Sequence, residues 1–292
     1  MKDLWDKKDE ANFFSKSLFS GVTPDQLFYL TNDKRYLAYW PRSYRGSRVT
    51  LQSRNSLIGD YSEIWCTELF KEIGESIGGY AIQKVICDEI SLTDRSPADV
   101  AICKKRGTNQ KANDIVLIIE VKMSIVWNWE YSYANDPNLV CVGDYRTHSG
   151  TPSLLRSDSM LKAIGKSINI RVSSELASRI PIIIIGNSPV QPSYYSKVDH
   201  LKSSGVIQGF WSINPIPTDD FNLSNLKSPK DGFLTIDSYT TLKKLCEELI
   251  MNDKEYFSAM IHKLKLGEFI QEADQESTLE KKAMRFLELI RE

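Results

Sequence analysis

Histidine and cysteine are scarce in this chain, and neither is arranged for metal work. Of 292 residues, three are histidine and five are cysteine. Cys66, Cys87, Cys103, Cys141 and Cys246 form no C-x-x-C pair and no regular framework, which argues against a zinc site and against a disulfide scaffold. They lie mostly within apolar segments and read as reduced, buried thiols of a cytoplasmic chain. No apolar run approaches the ~20 residues that span a bilayer, and Met1-Lys2-Asp3-Leu4-Trp5-Asp6 has none of the features of a secretory signal. Internal repeats and low-complexity tracts are missing too. Neither sign of charge dominates: 37 Lys and Arg face 38 Asp and Glu, a formal net charge of −1. Any nucleic-acid surface must therefore come from local segregation of charge. What remains is an ordinary globular composition, 41% hydrophobic and 26% charged, enough for one large domain with an elaborated periphery.

One stretch organises the rest, Asp114-Ile115-Val116-Leu117-Ile118-Ile119-Glu120-Val121-Lys122. Five consecutive apolar residues, mostly β-branched, predict a strand buried on both sheet faces. The side-chain period of two puts Glu120 and Lys122 on one face and Val121 on the other. A carboxylate and an ammonium at the end of a core strand cost several kcal/mol per ion, in order of magnitude, unless they find partners. A divalent cation and a phosphate would be such partners. Upstream, Ser96-Pro97-Ala98-Asp99-Val100-Ala101-Ile102 reads as a turn and a short apolar strand, and Lys104 to Lys111 as a polar hairpin connection. Antiparallel pairing then brings Asp99 beside Glu120 and Lys122.

The pattern Asp99…Glu120-Val121-Lys122, with Pro97-Ala98 before the aspartate, resembles the signature of the PD-(D/E)XK nuclease superfamily. Asp6-Lys7-Lys8 and Glu280-Lys281-Lys282 also fit [D/E]-X-K, but they sit in charged, helix-prone segments and read as solvated faces. The resemblance covers residues 59–122 well and the rest in outline. It implies an α/β fold: a restriction-endonuclease-like core, a mixed central β-sheet flanked by helices, with helical N- and C-terminal elaborations. It also implies Mg²⁺ held by Asp99, Glu120 and the Val121 carbonyl, with Lys122 orienting or deprotonating the attacking water. Glu63 resembles a third site acid. It lies on a predicted helix from Gly59 to Ile77, on the margin of the apolar stripe Cys66, Leu69, Phe70, Ile73, Ile77. A first-turn acid favoured by the helix dipole is the alternative for Glu63. Glu89, near the end of a predicted strand over 80–90, is its rival.

The sequence predicts one domain over 1–292: an N-terminal helical and arginine-rich loop region (1–57), a catalytic core (58–215) with an insertion loop (123–150), and a mostly helical C-terminal region (216–292). Residues 39–48 interleave Arg42, Arg45 and Arg48 with aromatics, and Arg54 follows. Such forks and rings suit phosphate contact and base readout. The 123–150 segment carries Trp127, Trp129, Tyr131, Tyr133, Arg146 and His148. It is expected to be irregular, either a DNA-reading insertion or packing for the domain or a dimer. His148 has no second histidine at ligand spacing, so a DNA contact or a satisfied loop residue is expected. Thr151-Pro152 predicts a helix start, with Leu154, Leu155, Leu161, Ile164, Gly165 and Ile168 inward. Arg156, Lys162 and Lys166 on that helix are candidates to clamp a phosphate backbone. Strands are predicted at 181–186 and 206–213.

Together these imply a type II restriction endonuclease, hydrolysing double-stranded DNA with Mg²⁺ at a short, palindromic sequence. The products would carry 5′-phosphate and 3′-hydroxyl ends. A two-fold homodimer matches a palindrome, and a cognate DNA methyltransferase would protect the host genome. The alternatives are a repair or structure-specific nuclease, or a catalytically silent DNA-binding protein of the same fold.

Overall fold

The computed structural model describes residues 3–47, 50–133, 138–220, 225–251, 255–256 and 261–291. In chain order the first elements are α1 (Lys7–Phe19), α2 (Pro24–Leu27), β1 (Tyr29–Leu30), β2 (Tyr36–Leu37) and α3 (Gln52–Ser76). Three strands follow: β3 (Tyr80–Val85), β4 (Ala98–Cys103) and β5 (Ile115–Val121). Then come β6 (Asn128–Ser132), β7 (Asn138–Gly143), α4 (Ser157–Ser173), β8 (Ile182–Gly186), α5 (Tyr195–Ser203), β9 (Gly209–Ser212), β10 (Phe233–Thr235) and α6 (Tyr239–Met251). The last two are α7 (Lys263–Ala273) and α8 (Leu279–Arg291).

The architecture is α/β: a mixed six-stranded sheet, order β10-β9-β8-β5-β4-β3, flanked by helices. β3, β4 and β5 run antiparallel, whereas β5, β8, β9 and β10 run parallel. The expected order of helix and three strands is present as α3-β3-β4-β5. β5 is central because its apolar run is covered on both faces, all but Val116 of its seven residues being buried.

Where the sequence suggests one domain over 1–292, the chain forms two compact units, residues 1–253 and 254–292. In the second, Lys282 Nζ meets Asp274 Oδ1 at 2.6 Å, and Arg285 pairs with Glu272 across the α7–α8 pair. The C-terminal region also contains β10, a strand that its sequence pattern does not announce. Among the described residues no helix is long and apolar enough to cross a membrane.

Two expectations are corrected here. The segment 123–150 is no irregular insertion: β6 and β7 pair antiparallel and join β1 and β2 in a second, four-stranded sheet. Trp127, Trp129 and Tyr131 turn inward into the core, where Phe28 stacks on Tyr131 at 5.4 Å. Nor is Arg54 a loop residue. Helix α3 begins at Gln52, and the buried Arg54 donates Nη1 to the carbonyls of Leu27 and Ala38, under the rings of Tyr29 and Tyr39. A guanidinium with such partners can start a helix inside the fold rather than on its surface.

The N-terminal helix is fastened by Glu10. This fully buried carboxylate accepts from the Val126 and Trp127 amides at 2.6 and 3.2 Å and from Trp129 Nε1 at 3.0 Å. Burial pushes its carboxyl up to about 8 despite those donors. The folded chain therefore keeps a proton that the unfolded chain has released above about 4.5, so stability falls as pH rises through that window. The unfolding free energy of the wild type minus that of Glu10→Gln should fall by up to ~1.4 kcal/mol per pH unit from the ordinary carboxylate range to about 8, then level off. Urea unfolding across pH 5–9 checks this; a constant difference overturns it.

Candidate active site

The register Val100↔Ile119 of the β4–β5 pair sets Asp99 against the end of β5. There Asp99 Oδ2 accepts from the Val121 amide at 2.8 Å, which fixes one carboxylate oxygen against the neighbouring strand. Lys122 folds back over this corner. Its Nζ lies 2.9 Å from Asp99 Oδ2, 3.2 Å from Glu120 Oε2 and 3.1 Å from the Val121 carbonyl. Glu120 and Lys122 share a face, as the strand period requires.

A second lysine completes the cluster. Lys166, on α4, reaches Asp99 Oδ1 at 3.2 Å, Glu120 Oε1 at 2.6 Å and the Pro97 carbonyl at 2.5 Å. Each carboxylate thus gives one oxygen to each ammonium, in a ring of two negative and two positive charges. Lys166 is out of line for a hydrogen bond to Glu120 Oε1, so that buried oxygen has a counter-charge but no directed donor. The side chains are 15% (Asp99), 0% (Glu120), 20% (Lys122) and 18% (Lys166) exposed, which leaves solvent access from the lysine side.

Burial sets the charges against one another. It works to raise the Asp99 carboxyl, but Lys122 and Lys166 outweigh it and hold Asp99 below its usual value. For Glu120, burial and then the neighbouring Asp99 prevail, and its carboxyl is raised. Burial works to lower the Lys122 ammonium, yet Asp99 and Glu120 hold it above its ordinary range. In this arrangement Lys122 is a cation.

The chain leaving β5 is clamped. Ser153 Oγ donates to the Lys122 carbonyl at 2.6 Å and accepts from the Asn187 amide at 3.0 Å. The Asn187 side chain bonds both the amide and the carbonyl of Ser124. Gly186, at the end of β8, makes room for this clamp: a Cβ there would run into Leu154 Cγ and lie 2.7 Å from Ser153 Oγ.

Asp99, Glu120, Val121 and Lys122 meet as expected, and Glu63 stands apart from the ring. Its Oε2 accepts from Gln83 Nε2 at 3.0 Å. Burial raises its carboxyl, with Asp99 contributing in the same sense. Among the described residues, no three His, Cys, Asp or Glu side chains form a ready-made metal cage. The donors nevertheless suit a hard divalent cation, which prefers carboxylate and carbonyl oxygens. The two carboxylates and the Val121 carbonyl converge on one point, where the Lys122 ammonium stands as the cation. Glu89 serves elsewhere, accepting from the Ala112 amide at 2.7 Å and so holding a loop.

The expected DNA contacts divide. Arg42 and Arg45 are exposed; Arg42 Nε donates to the His148 carbonyl at 3.3 Å and Arg45 Nη1 to the Arg42 carbonyl at 2.8 Å. Arg48 lies outside the described residues. Arg146 is forked onto Asp144 and reaches Asp220 at 3.2 Å. Arg156 and Lys162 both pair with Asp158, at 3.5 and 3.0 Å. His148 is buried, as a satisfied loop residue would be, and is not exposed for DNA contact. It stacks on Tyr39 at 4.0 Å, meets the Val126 carbonyl through Nε2 at 3.0 Å and accepts the Gly150 amide at Nδ1. Burial lowers its imidazole to about 4, so it is neutral at physiological pH.

The helix after Thr151-Pro152 is also corrected. A short 3-10 turn, Ser153–Leu155, comes first, and α4 starts at Ser157. Leu161 and Ile168, expected inside, are 61% and 42% exposed, while Met160, Ala163, Ser167, Ile170 and Arg171 are buried. The polar members of that inner face are satisfied inside: Arg171 donates to the Val206 carbonyl at 3.1 Å and to Gln208 Oε1 at 2.9 Å. This phase turns Lys166 to the site, a residue whose sequence pattern places it only on the basic helix.

Compared with protein-family models, curated proteins and solved structures, the chain matches none. The functional reading rests on geometry and motif. Removing one member of the ring strands the others: Asp99→Ala should cost about 3–5 kcal/mol of stability in chelator-containing buffer. Glu63→Gln, outside the ring, should cost under ~1 kcal/mol. Denaturant unfolding of both variants checks the contrast; equal losses overturn the assignment of Glu63.

Proposed function

We propose that this chain is a Mg²⁺-dependent type II restriction endonuclease of the PD-(D/E)XK kind, built on a restriction-endonuclease-like core. It cuts double-stranded DNA at a short, palindromic sequence to leave 5′-phosphate and 3′-hydroxyl ends. The observation that supports it is the convergence of Asp99 Oδ2, Glu120 Oε2 and the Val121 carbonyl on one cation position, held by Lys122 Nζ at 2.9–3.2 Å from the three oxygens.

Asp99, Glu120 and the Val121 carbonyl would hold the metal at the point where the Lys122 ammonium stands, and Glu63 would add negative charge on the side of Asp99. When bound, the ion supplies Lewis-acid polarisation and a water of lowered pKa. Lys122 acts through its charge: it orients the attacking water by hydrogen bonding and offsets the charge that grows on the phosphate. Arg42 and Arg45 are exposed cations available to the DNA backbone, and Arg48 belongs to the same loop sequence. Arg146, Arg156 and Lys162 would exchange their acidic partners for phosphates. Palindromic cutting implies a two-fold homodimer, and host protection implies a cognate DNA methyltransferase.

One observation favours a second reading, a DNA-binding protein without catalysis: the ring is neutral and closed, as a structural network would be. Digestion separates the readings. A sequenced phage genome incubated with the protein and Mg²⁺ should yield discrete fragments with mappable ends, and Lys122→Ala should abolish cutting while DNA binding persists. Smears or structure-dependent nicks would point to a repair nuclease. Binding without any cleavage, with or without Mg²⁺, would favour the silent protein.

A further inference from the structure

We infer that Lys166 is a built-in counter-ion that competes with divalent metal for Asp99 and Glu120, and so a positioning residue that sets the metal affinity of the site. The inference rests on the metal-dependent reading above. All four oxygens of Asp99 and Glu120 already lie beside an ammonium, Oδ1 and Oε1 beside Lys166 and Oδ2 and Oε2 beside Lys122. Two ammoniums thus do the charge work of one divalent ion. Adding a metal to the intact ring would put four positive charges against two negative ones, inside a poorly hydrated corner, so an ammonium has to leave. The metal donors converge where the Lys122 ammonium stands, so Lys166, on the other two oxygens, is the charge that a metal entering there still faces.

Lys166 donates to the Pro97 carbonyl and to Asp99 Oδ1 at 3.2 Å, and it lies 2.6 Å from Glu120 Oε1. It comes from helix α4 rather than from β4 or β5, so its charge can be removed without altering the strands that carry the acids. Without Lys166 the ring carries a net charge of −1 and should take up a cation more readily.

Calorimetric titration of Mg²⁺ into the full-length protein, without DNA, tests this. Lys166→Met should bind Mg²⁺ more tightly than wild type, on the order of tenfold, and its melting temperature should rise more steeply with added Mg²⁺. Lys166→Arg, which keeps the charge, should bind as weakly as wild type. If Lys166→Met does not fold, Lys166→Gln gives the same readout while keeping a donor for the Pro97 carbonyl. Binding in wild type with equal or weaker affinity in Lys166→Met and Lys166→Gln overturns this inference and leaves the nuclease reading standing. No Mg²⁺ binding by wild type or any variant overturns both.

Discussion

Two carboxylates buried side by side have to be neutralised, and most of what is distinctive here follows from that demand. Glu120 is wholly buried at the end of a core strand, with Asp99 across the pairing. Like charges at that range repel strongly where water is excluded. Lys122 meets part of the demand locally, through the period of the strand. The other part is met by Lys166, which is why α4 turns a partly polar face to the sheet and leaves Leu161 and Ile168 in solvent.

The second sheet and the N-terminal helix serve as support for this corner. β5 passes directly into the segment that Glu10 holds by its amides and by Trp129, and β6 begins from there. On the other side, Ser153 and Asn187 pin the residues just after Lys122. The strand end that presents the acids is thus bonded before and after its turn. Such preorganisation keeps charged groups in place without help from solvent.

The trio Asp99, Glu120 and Lys122 is legible in the sequence because its geometry is local: a strand period of two and one antiparallel hairpin suffice. Glu63 can be placed on the correct helix, but its distance from the ring depends on how α3 packs. Lys166 cannot be assigned in this way, since the apolar pattern of its helix suggests the wrong phase, and only tertiary contacts show which face is inside. Arg54 and His148 are hidden for a related reason. Each is satisfied largely by backbone carbonyls and ring faces, which no side-chain motif announces. The β6–β7 hairpin does leave a trace, the alternation Trp127-Asn128-Trp129-Glu130-Tyr131.

Gly186 shows how far the tolerance of this site is governed by a residue without chemistry. Its missing side chain is the space into which Leu154 and the Ser153 hydroxyl fit. Even a methyl group would press on the hydroxyl that grips the backbone of Lys122. A change as small as Gly186→Ala could then disable the centre by displacement alone, with every ionisable group still present, and a catalogue of charged residues would miss the cause.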